Sequence, residues 1–254
     1  MDSNVISLIA FACIFSGGLA GLALAGWLPT HHRDHDTRDV IRLGMGMISV
    51  LASLVLGLLI ASAKSSFDHT NDALRSYSAD LIQLDRTLRD YGAGADHVRG
   101  LLVQYADRAI RETWANETPD RHKPLEDNVS STRLENVQQA ILALTPDIDN
   151  QRWLRNHALE ISSQIIHTRW LLLVSYEGTI SPVLFGILIT WITLIFVSFG
   201  THAPRNSAVV VTFCICALAI GGSIYVISEM DTPLDGVIAV PSGPMLDALA
   251  HLKR

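Results

Sequence analysis

The sequence predicts an all-α fold: four transmembrane helices, with a helical-bundle rod inserted between spans 2 and 3. Three observations predict it. Four apolar blocks, Val5–Trp27, Ile41–Ala63, Val183–Phe199 and Ala208–Ile227, hold no Asp, Glu, Lys or Arg except Arg42 at an edge. Each is close to the ~17–25 residues that a bilayer-spanning helix needs. Between the second and third blocks, Lys64 to Ser181 turns polar, with 13 basic and 17 acidic residues, yet keeps apolar residues at helical spacing. Finally, no Gly or Pro interrupts the path from Gly57 to Gly92, so the second span continues as a helix beyond the bilayer.

These features divide the 254 residues into four parts. Residues 1–63 form a transmembrane hairpin with spans 5–27 and 41–63, and residues 64–181 form a soluble helical rod. Residues 182–230 form a second hairpin with spans 183–199 and 208–227, and residues 231–254 form a C-terminal tail with a short amphipathic helix. The net charge of −6 is mild and gives no basis for binding nucleic acid. Mean hydropathy is +0.29, with the apolar residues gathered in the four blocks. The partner this composition demands is a lipid bilayer.

Span 1 includes Ala23-Leu24-Ala25, which resembles a signal-peptide cleavage site, but the MDSNV start lacks a basic region and the apolar run is long. A retained span is expected. Gly17 and Gly21 lie one turn apart and offer a bare face where another helix backbone can approach. The following loop holds His31, His32, Asp34, His35 and Asp36 at spacings that fit no metal-ligand pattern, so a solvated turn is expected. Cys13, Cys214 and Cys216 all fall inside spans, where small apolar filler is their expected role.

Span 2 carries small residues every fourth position: Ser49, Ser53, Gly57, Ala61 and Ser65. Such a stripe lets membrane helices pack where no hydrophobic effect draws them together. It fits span 1, a neighbouring subunit or a narrow aqueous path equally well. Beyond Lys64 the apolar residues Leu74, Tyr77, Leu81, Leu84, Leu88 and Tyr91 follow spacings of 3, 4, 3, 4 and 3, a seam for a partner helix. At 1.5 Å per residue, some fifty helical residues from Val40 to Tyr91 reach roughly 75 Å, over twice the ~30 Å hydrocarbon core.

Gly92-Ala93-Gly94 closes that helix, and Asp96 is placed to cap the next, whose stripe is Val98, Leu102, Tyr105, Ala109 and Thr113. Glu117 to Asp127, with Pro119 and Pro124, is a loop. A third helix carries Val137, Ile141 and Leu144, and Pro146 suits the first turn of the fourth. The fourth stripe runs Leu154, Ala158, Ile161, Ile165, Thr168, Leu172 and Ser175. Gly200 to Ser207 joins spans 3 and 4, short enough to force an antiparallel pair. In the tail, Met245, Leu246, Leu249 and Leu252 share one helix face that rests on the membrane surface or on the rod.

An even number of spans puts both termini and the rod on one side. The short loops hold Arg33, Arg38 and Arg205, with Arg42 at the boundary, against Lys64, Arg75 and Arg169 on the rod side. The positive-inside rule thus puts the short loops in the cytoplasm by a single residue, which leaves the side of the central domain open.

No phosphate-cradling Gly loop, HExxH or GxSxG appears, so neither catalysis nor a cofactor or metal site is expected. The spans carry no carboxylate or Lys, which disfavours proton-coupled transport. A path lined by small polar residues is the remaining chemistry, with Ser49, Ser53, Thr190 and Thr193 as lining candidates. Glu229, Asp231 and Asp235 cluster after span 4, as a cation site at a pore end or as a solvated acidic turn.

Several segments together resemble the bestrophin-like family of bacterial membrane proteins. They are LVLGLLIASAKSSFD at the end of span 2, LIQLDRTLRDYG in the stalk, FVSFGTHAPRN between spans 3 and 4, and SEMDTPLDGVIAVPSGPMLDAL after span 4. The family-motif residues are Ala203, Pro204, Arg205 and Asn206, then Glu229, Asp231, Pro233 and Gly236. The resemblance implies a multi-pass protein of the bacterial inner membrane, akin to bestrophins, which are homopentameric anion channels with four-span subunits. It implies a homo-oligomer, possibly a pentamer, that passes an anion such as chloride, with span 2 and the start of the stalk lining the path. Bestrophin pores are narrowed by aromatic and aliphatic side chains. Span 2 here has no aromatic residue, so Phe67 at its exit is the nearest counterpart, and Gly57 joins the lining candidates. The acidic turn does not match the bestrophin calcium cluster residue by residue.

A passive homo-oligomeric anion channel is therefore the leading expectation. The span-2 stripe and the stalk seam, with Leu81, Leu84 and Leu88 buried between subunits, supply the oligomer contacts. The alternative is a structural or signalling membrane protein whose rod closes its seam within one chain and binds a partner.

Overall fold

The computed structural model describes residues 3–25, 35–114, 128–174, 180–234 and 236–254. Among them there are α-helices and no strands. In chain order these are α1 (Ser3–Leu24), α2 (His35–Tyr91), a short 3₁₀ turn (Ala93–Ala95), α3 (Asp96–Thr113) and α4 (Asn128–Leu142). Then come α5 (Asp149–Val174), α6 (Pro182–His202), α7 (Ser207–Asp231) and α8 (Gly243–Leu252). α1, α2, α6 and α7 are each long and apolar enough to cross a membrane. His31, His32, Asp34, Asp235, Ser175 and the loop from Glu117 to Asp127 lie outside the described residues, as do the side chains of His35 and Asp36.

The chain separates into two compact units. A membrane unit comprises residues 1–66 and 178–231, and a polar unit comprises residues 67–177 and 232–254. The tail beyond α7 therefore belongs to the polar unit rather than standing apart.

In the membrane unit α1 packs against both α6 and α7. Glycines make this possible. A Cβ added to Gly21 would overlap the Val197 carbonyl oxygen and lie 3.0 Å from Gly200 Cα, and one on Gly200 would lie 2.7 Å from Leu22 N. Gly17 gives the same clearance to the methyl of Thr193, and Gly18 to the ring of Phe213. Without a hydrophobic driving force inside the bilayer, close backbone approach and dispersion carry the contact. The remaining core is Ala10, Ile14, Phe185, Leu188, Ile192, Phe196, Ala217 and Ile224, with Ala52, Leu59 and Ala63 from α2.

The α6–α7 connection is shorter than the sequence suggests. α6 runs on through Gly200 to His202, where the Thr201 hydroxyl and His202 Nδ1 lie 2.8 and 2.9 Å from the Ser198 carbonyl. Only residues 203–206 remain as the turn.

The polar unit buries one contiguous core. The α2 seam, Leu74, Tyr77, Leu81, Leu84, Leu88 and Tyr91, packs with the predicted stripes of α3, α4 and α5 and with Met245, Leu249 and Leu252 of α8. This corrects the expectation that the seam lies between subunits. Leu81 and Leu84 are fully covered by the chain's own helices. Four stripes of helical period in one unit are enough to bury one another. The alternatives for α8 are settled likewise: it packs on α3 and buries Met245, Leu249 and Leu252, while Leu246, expected on the same face, stays exposed.

Local chemistry sets the ends of these helices. Gly92 closes α2 with φ of 103°, a conformation costly for any residue with a Cβ. Asp96 is the first helical residue rather than the cap, which falls on Ala95 without a side-chain bond. There its charge favours the helix N-terminus, 3.9 Å from Arg99. Pro146 sits in the linker before α5, not in its first turn. Instead the Ile148 carbonyl accepts the Arg152 N–H, and the Gln151 side chain reaches back to accept the Asp147 N–H at 2.9 Å.

Three outcomes are expected. Gly21→Ala must push α1 off α6 and lower the thermal stability of the purified protein, whereas Gly222→Ala, with nothing within 4 Å of the added methyl, leaves it unchanged or raises it. Leu84→Ala costs about 2–5 kcal/mol in the polar unit, read by denaturant unfolding of a tryptophan signal. The third concerns Asp107, whose hydrogen bond from Arg111, supported by Lys253 of the tail at 3.7 Å, holds its carboxyl below the usual range. That support is full above the unfolded carboxylate value of ~3.9 and fades as pH falls through the lower folded value. Asp107→Asn should speed hydrogen exchange across Met245–Leu252 at neutral pH, and the difference from wild type should vanish in strong acid.

Candidate pore-lining helix

Within the membrane unit, α2 presents three different sides. One ridge, Met45, Ile48, Ala52, Leu59 and Ala63, packs into the unit. A second side exposes Val40, Leu43, Met47, Leu54 and Leu58, side chains suited to lipid or to another protein surface. The third carries Ser53, Gly57, Ala61 and Ser65, all exposed, with half-buried Ser49 at its start. Among the described residues, nothing lies within 4 Å of a Cβ built on Gly57. Of the surfaces the stripe fits, span 1 is therefore not the one it meets, because α1 spends its glycines on α6 and α7. Only 11% of the α2 span is buried, against 33%, 33% and 28% for α1, α6 and α7. Of the four, this helix is the one its own chain covers least.

The polar groups on α2 are locally satisfied. The Ser49 hydroxyl donates to the Met45 carbonyl at 2.8 Å and Ser53 donates to the Ser49 carbonyl at 2.9 Å. Back-bonding of this kind lets serine sit in an apolar helix. Thr190 and Thr193 do the same toward Gly186 and Ile189. The two part company in position: Thr190 is exposed, while Thr193 is half-buried with its methyl on Gly17. Phe67 is half-buried against the core of the polar unit, where Leu81, Leu84 and Leu88 also lie.

The motif residues turn out to hold the fold at helix ends. Ala203 is extended after α6, and Pro204 stops the helix. Arg205 then reaches back across 183 residues, donating through Nε to the Leu22 carbonyl and through Nη2 to the Ala23 carbonyl, both at 3.1 Å. These are carbonyls of the last turn of α1, which have no partner in their own helix, and the cation also meets the negative end of its dipole. Asn206 caps α7 by accepting the Val209 N–H at 2.9 Å. At the far end of α7, Asp231 is buried and accepts the Ile180 N–H at 3.2 Å just ahead of α6, and Glu229 is buried beside it. In the polar unit the Pro233 carbonyl accepts the Val240 N–H at 2.8 Å, and Gly236 takes φ of 93° between them.

Some polar groups were not foreseen. Tyr77 and Tyr105 share a hydroxyl hydrogen bond in the core of the polar unit, near buried Arg169. Burial pushes both phenols above their ordinary range, so each stays protonated. A cavity of about 10 Å³ beside Tyr77, lined also by Leu74, Thr113, Arg169 and Met245 among others, has room for about one water. Buried Asp85 accepts from Arg89 and Arg99, each at 2.8 Å. Only charge placement on an otherwise apolar seam could have announced these groups. Among the described residues no three His, Cys, Asp or Glu side chains converge as a metal-binding group.

Comparison with known proteins bears on this arrangement. No curated protein matches the sequence. The fold is similar to crystal structures of a bacterial bestrophin homologue from Klebsiella pneumoniae. One single-substitution variant matches with a TM-score of 0.68 at 10% identity, covering 97% of each chain. A second gives 0.65 at 11% identity, again over 97% of each. A third gives 0.64 at 10% identity, over 98% of this chain and 99% of the other. The sequence profile of the Bestrophin-like domain matches residues 12–245. That stretch takes in the glycine crossing, α2, the whole polar core as far as Met245 and both motif turns, and this membrane protein belongs to the Bestrophin-like family.

Proposed function

We propose that the chain is one subunit of a homo-oligomeric passive anion channel in the bacterial inner membrane, with the small-residue side of α2 facing the conduction path. The observation that carries this reading is the near absence of intrachain cover on the α2 span, with Gly57 open to its surroundings. A membrane helix that its own chain covers so little finds cover in copies of that chain, and the small residues are the side best kept for water and ions. Membership of the Bestrophin-like family supports it, since bestrophins are homopentameric anion channels, and the fold is common to the Klebsiella homologue.

No charged residue interrupts α2 between Arg42 and Lys64, so pore width and dipoles govern passage there rather than fixed charge. A chloride ion on this side meets Ser49 and Ser53. Their hydroxyls turn from the helix carbonyls toward the ion by rotation about one bond, or the ion keeps its water.

A second reading, a rod that binds a partner protein, draws on one observation: the stalk seam is closed within the chain and owes nothing to a neighbour.

Anion flux into proteoliposomes separates the two, with Ser53→Trp as the paired variant. The channel reading expects chloride flux that the indole reduces at least tenfold while the oligomer is retained on a sizing column. A monodisperse oligomer that passes no anion at any pH, calcium level or voltage would overturn it in favour of the partner-binding rod.

A further inference from the structure

In the polar unit, the exposed sides of the helices differ in kind. Along α3 the exposed residues include Asp96, Arg108 and Arg111, and along α2 beyond Phe67 they include Asp72, Arg75, Arg86, Arg89 and Asp90. Those sides are ordinary solvated surfaces. α5 is different. Between Trp153 and Leu171, Glu160 is the one charged residue that is exposed, because Arg155 is half-buried and Arg169 is buried. The rest of that side is Asn156, Ser163, Gln164 and His167, with Trp153 and Trp170 at the two ends, 62% and 58% exposed.

Depletion of charge together with tryptophan is the compositional mark of a protein–protein interface rather than of bulk hydrophobicity. Trp153 is also held ready for contact. Its ring stacks on His157 with centroids 5.1 Å apart, and His157 lies within 3.5 Å of Gln83 on α2 and 3.4 Å of Glu160. A rigid exposed aromatic loses little entropy when it is covered.

We propose that this side of α5 is a subunit contact, occupied by a second copy of the chain. Area decides between a copy and an independent soluble partner. Eighteen or so helical residues make a strip about 28 Å long and about 10 Å wide, roughly 300 Å², well short of the ~800 Å² per partner of a stable complex. Such a strip holds only a neighbour already kept close by other contacts. A copy joined through the uncovered α2 span meets that condition, so the inference rests on the oligomeric reading above. In a closed ring the contact is heterologous, with the α5 side of one subunit meeting a different side of the next.

Site-directed photo-cross-linking tests it. In the full-length protein with Cys13→Ala, Cys214→Ala and Cys216→Ala, a benzophenone maleimide is attached at Gln164→Cys, and at Gln104→Cys on exposed α3 as the control. Illumination in membranes should give a ladder at multiples of the 27.8 kDa chain from position 164, and a ladder from position 104 only if α3 is the side that the next subunit presents. Trp153→Ala with Trp170→Ala, both on the surface, should lower the yield from position 164 severalfold without changing thermal stability. A sizing-column oligomer that gives no ladder from position 164, or one whose ladder the two tryptophan substitutions leave unchanged, overturns this contact and leaves the oligomer standing. A monomer on the column overturns both. Cross-linking at 164 to a different protein rather than to a copy overturns the choice of occupant.

Discussion

At Gly21 and Gly200 two helix backbones meet with no side chain between them, and the membrane unit depends on that meeting. A single methyl on either residue would collide with main-chain atoms, which cannot rotate aside as a side chain can. With α1 drawn in this far, the last carbonyls of α1 come within reach of Arg205, Gly17 receives the methyl of Thr193, and Phe213 of α7 fits over Gly18. Packing in lipid lacks the hydrophobic effect, so it rests on fit and on the few hydrogen bonds that fit permits. The motif around Ala203 to Asn206 is best understood as the clasp for this crossing rather than as chemistry in its own right.

The same crossing explains why α2 is free. α1 is committed to α6 and α7, so α2 attaches to the membrane unit by one narrow ridge and leaves its other two sides uncovered. In the polar unit the balance is reversed. There α2 gives its whole apolar seam to its own chain, and α5 turns outward a side with two tryptophans and Glu160 as its one exposed charge between them. In the proposed assembly, copies meet through different helices in the two units.

The all-α class and the four spans were legible because four long apolar runs without a charge rarely occur together outside a bilayer. The stalk and the stripes of α3 to α5 were legible because alternating three- and four-residue spacings admit one helical face. The partner of a face was not. The α2 seam looks the same whether it meets its own chain or a neighbour, since a heptad pattern records burial and not the identity of what buries it. Gly17 and Gly21 are nameable as a close-approach face, but Gly200 falls just past the apolar run that ends at Phe199, and composition alone puts it in the connection. Asn206 carries a readable cap signature immediately before an apolar run. Arg205 does not, because a carbonyl 183 residues away leaves no local trace. Tyr77 and Tyr105 were read as two more seam residues, since their apolar rings satisfy the pattern and conceal the paired hydroxyls.

The Arg205 clasp also has a consequence for biosynthesis. The carbonyls of Leu22 and Ala23 emerge early, and the guanidinium that satisfies them is made 183 residues later. At a synthesis rate of about 5–20 residues per second, the first span waits roughly ten to forty seconds in the bilayer before its neighbours exist. During that interval its glycine face is bare and its last turn must be satisfied by water or lipid headgroups, which favours keeping that end at the membrane surface. Those unsatisfied carbonyls thus favour a depth for the first helix at which Arg205 can later reach them.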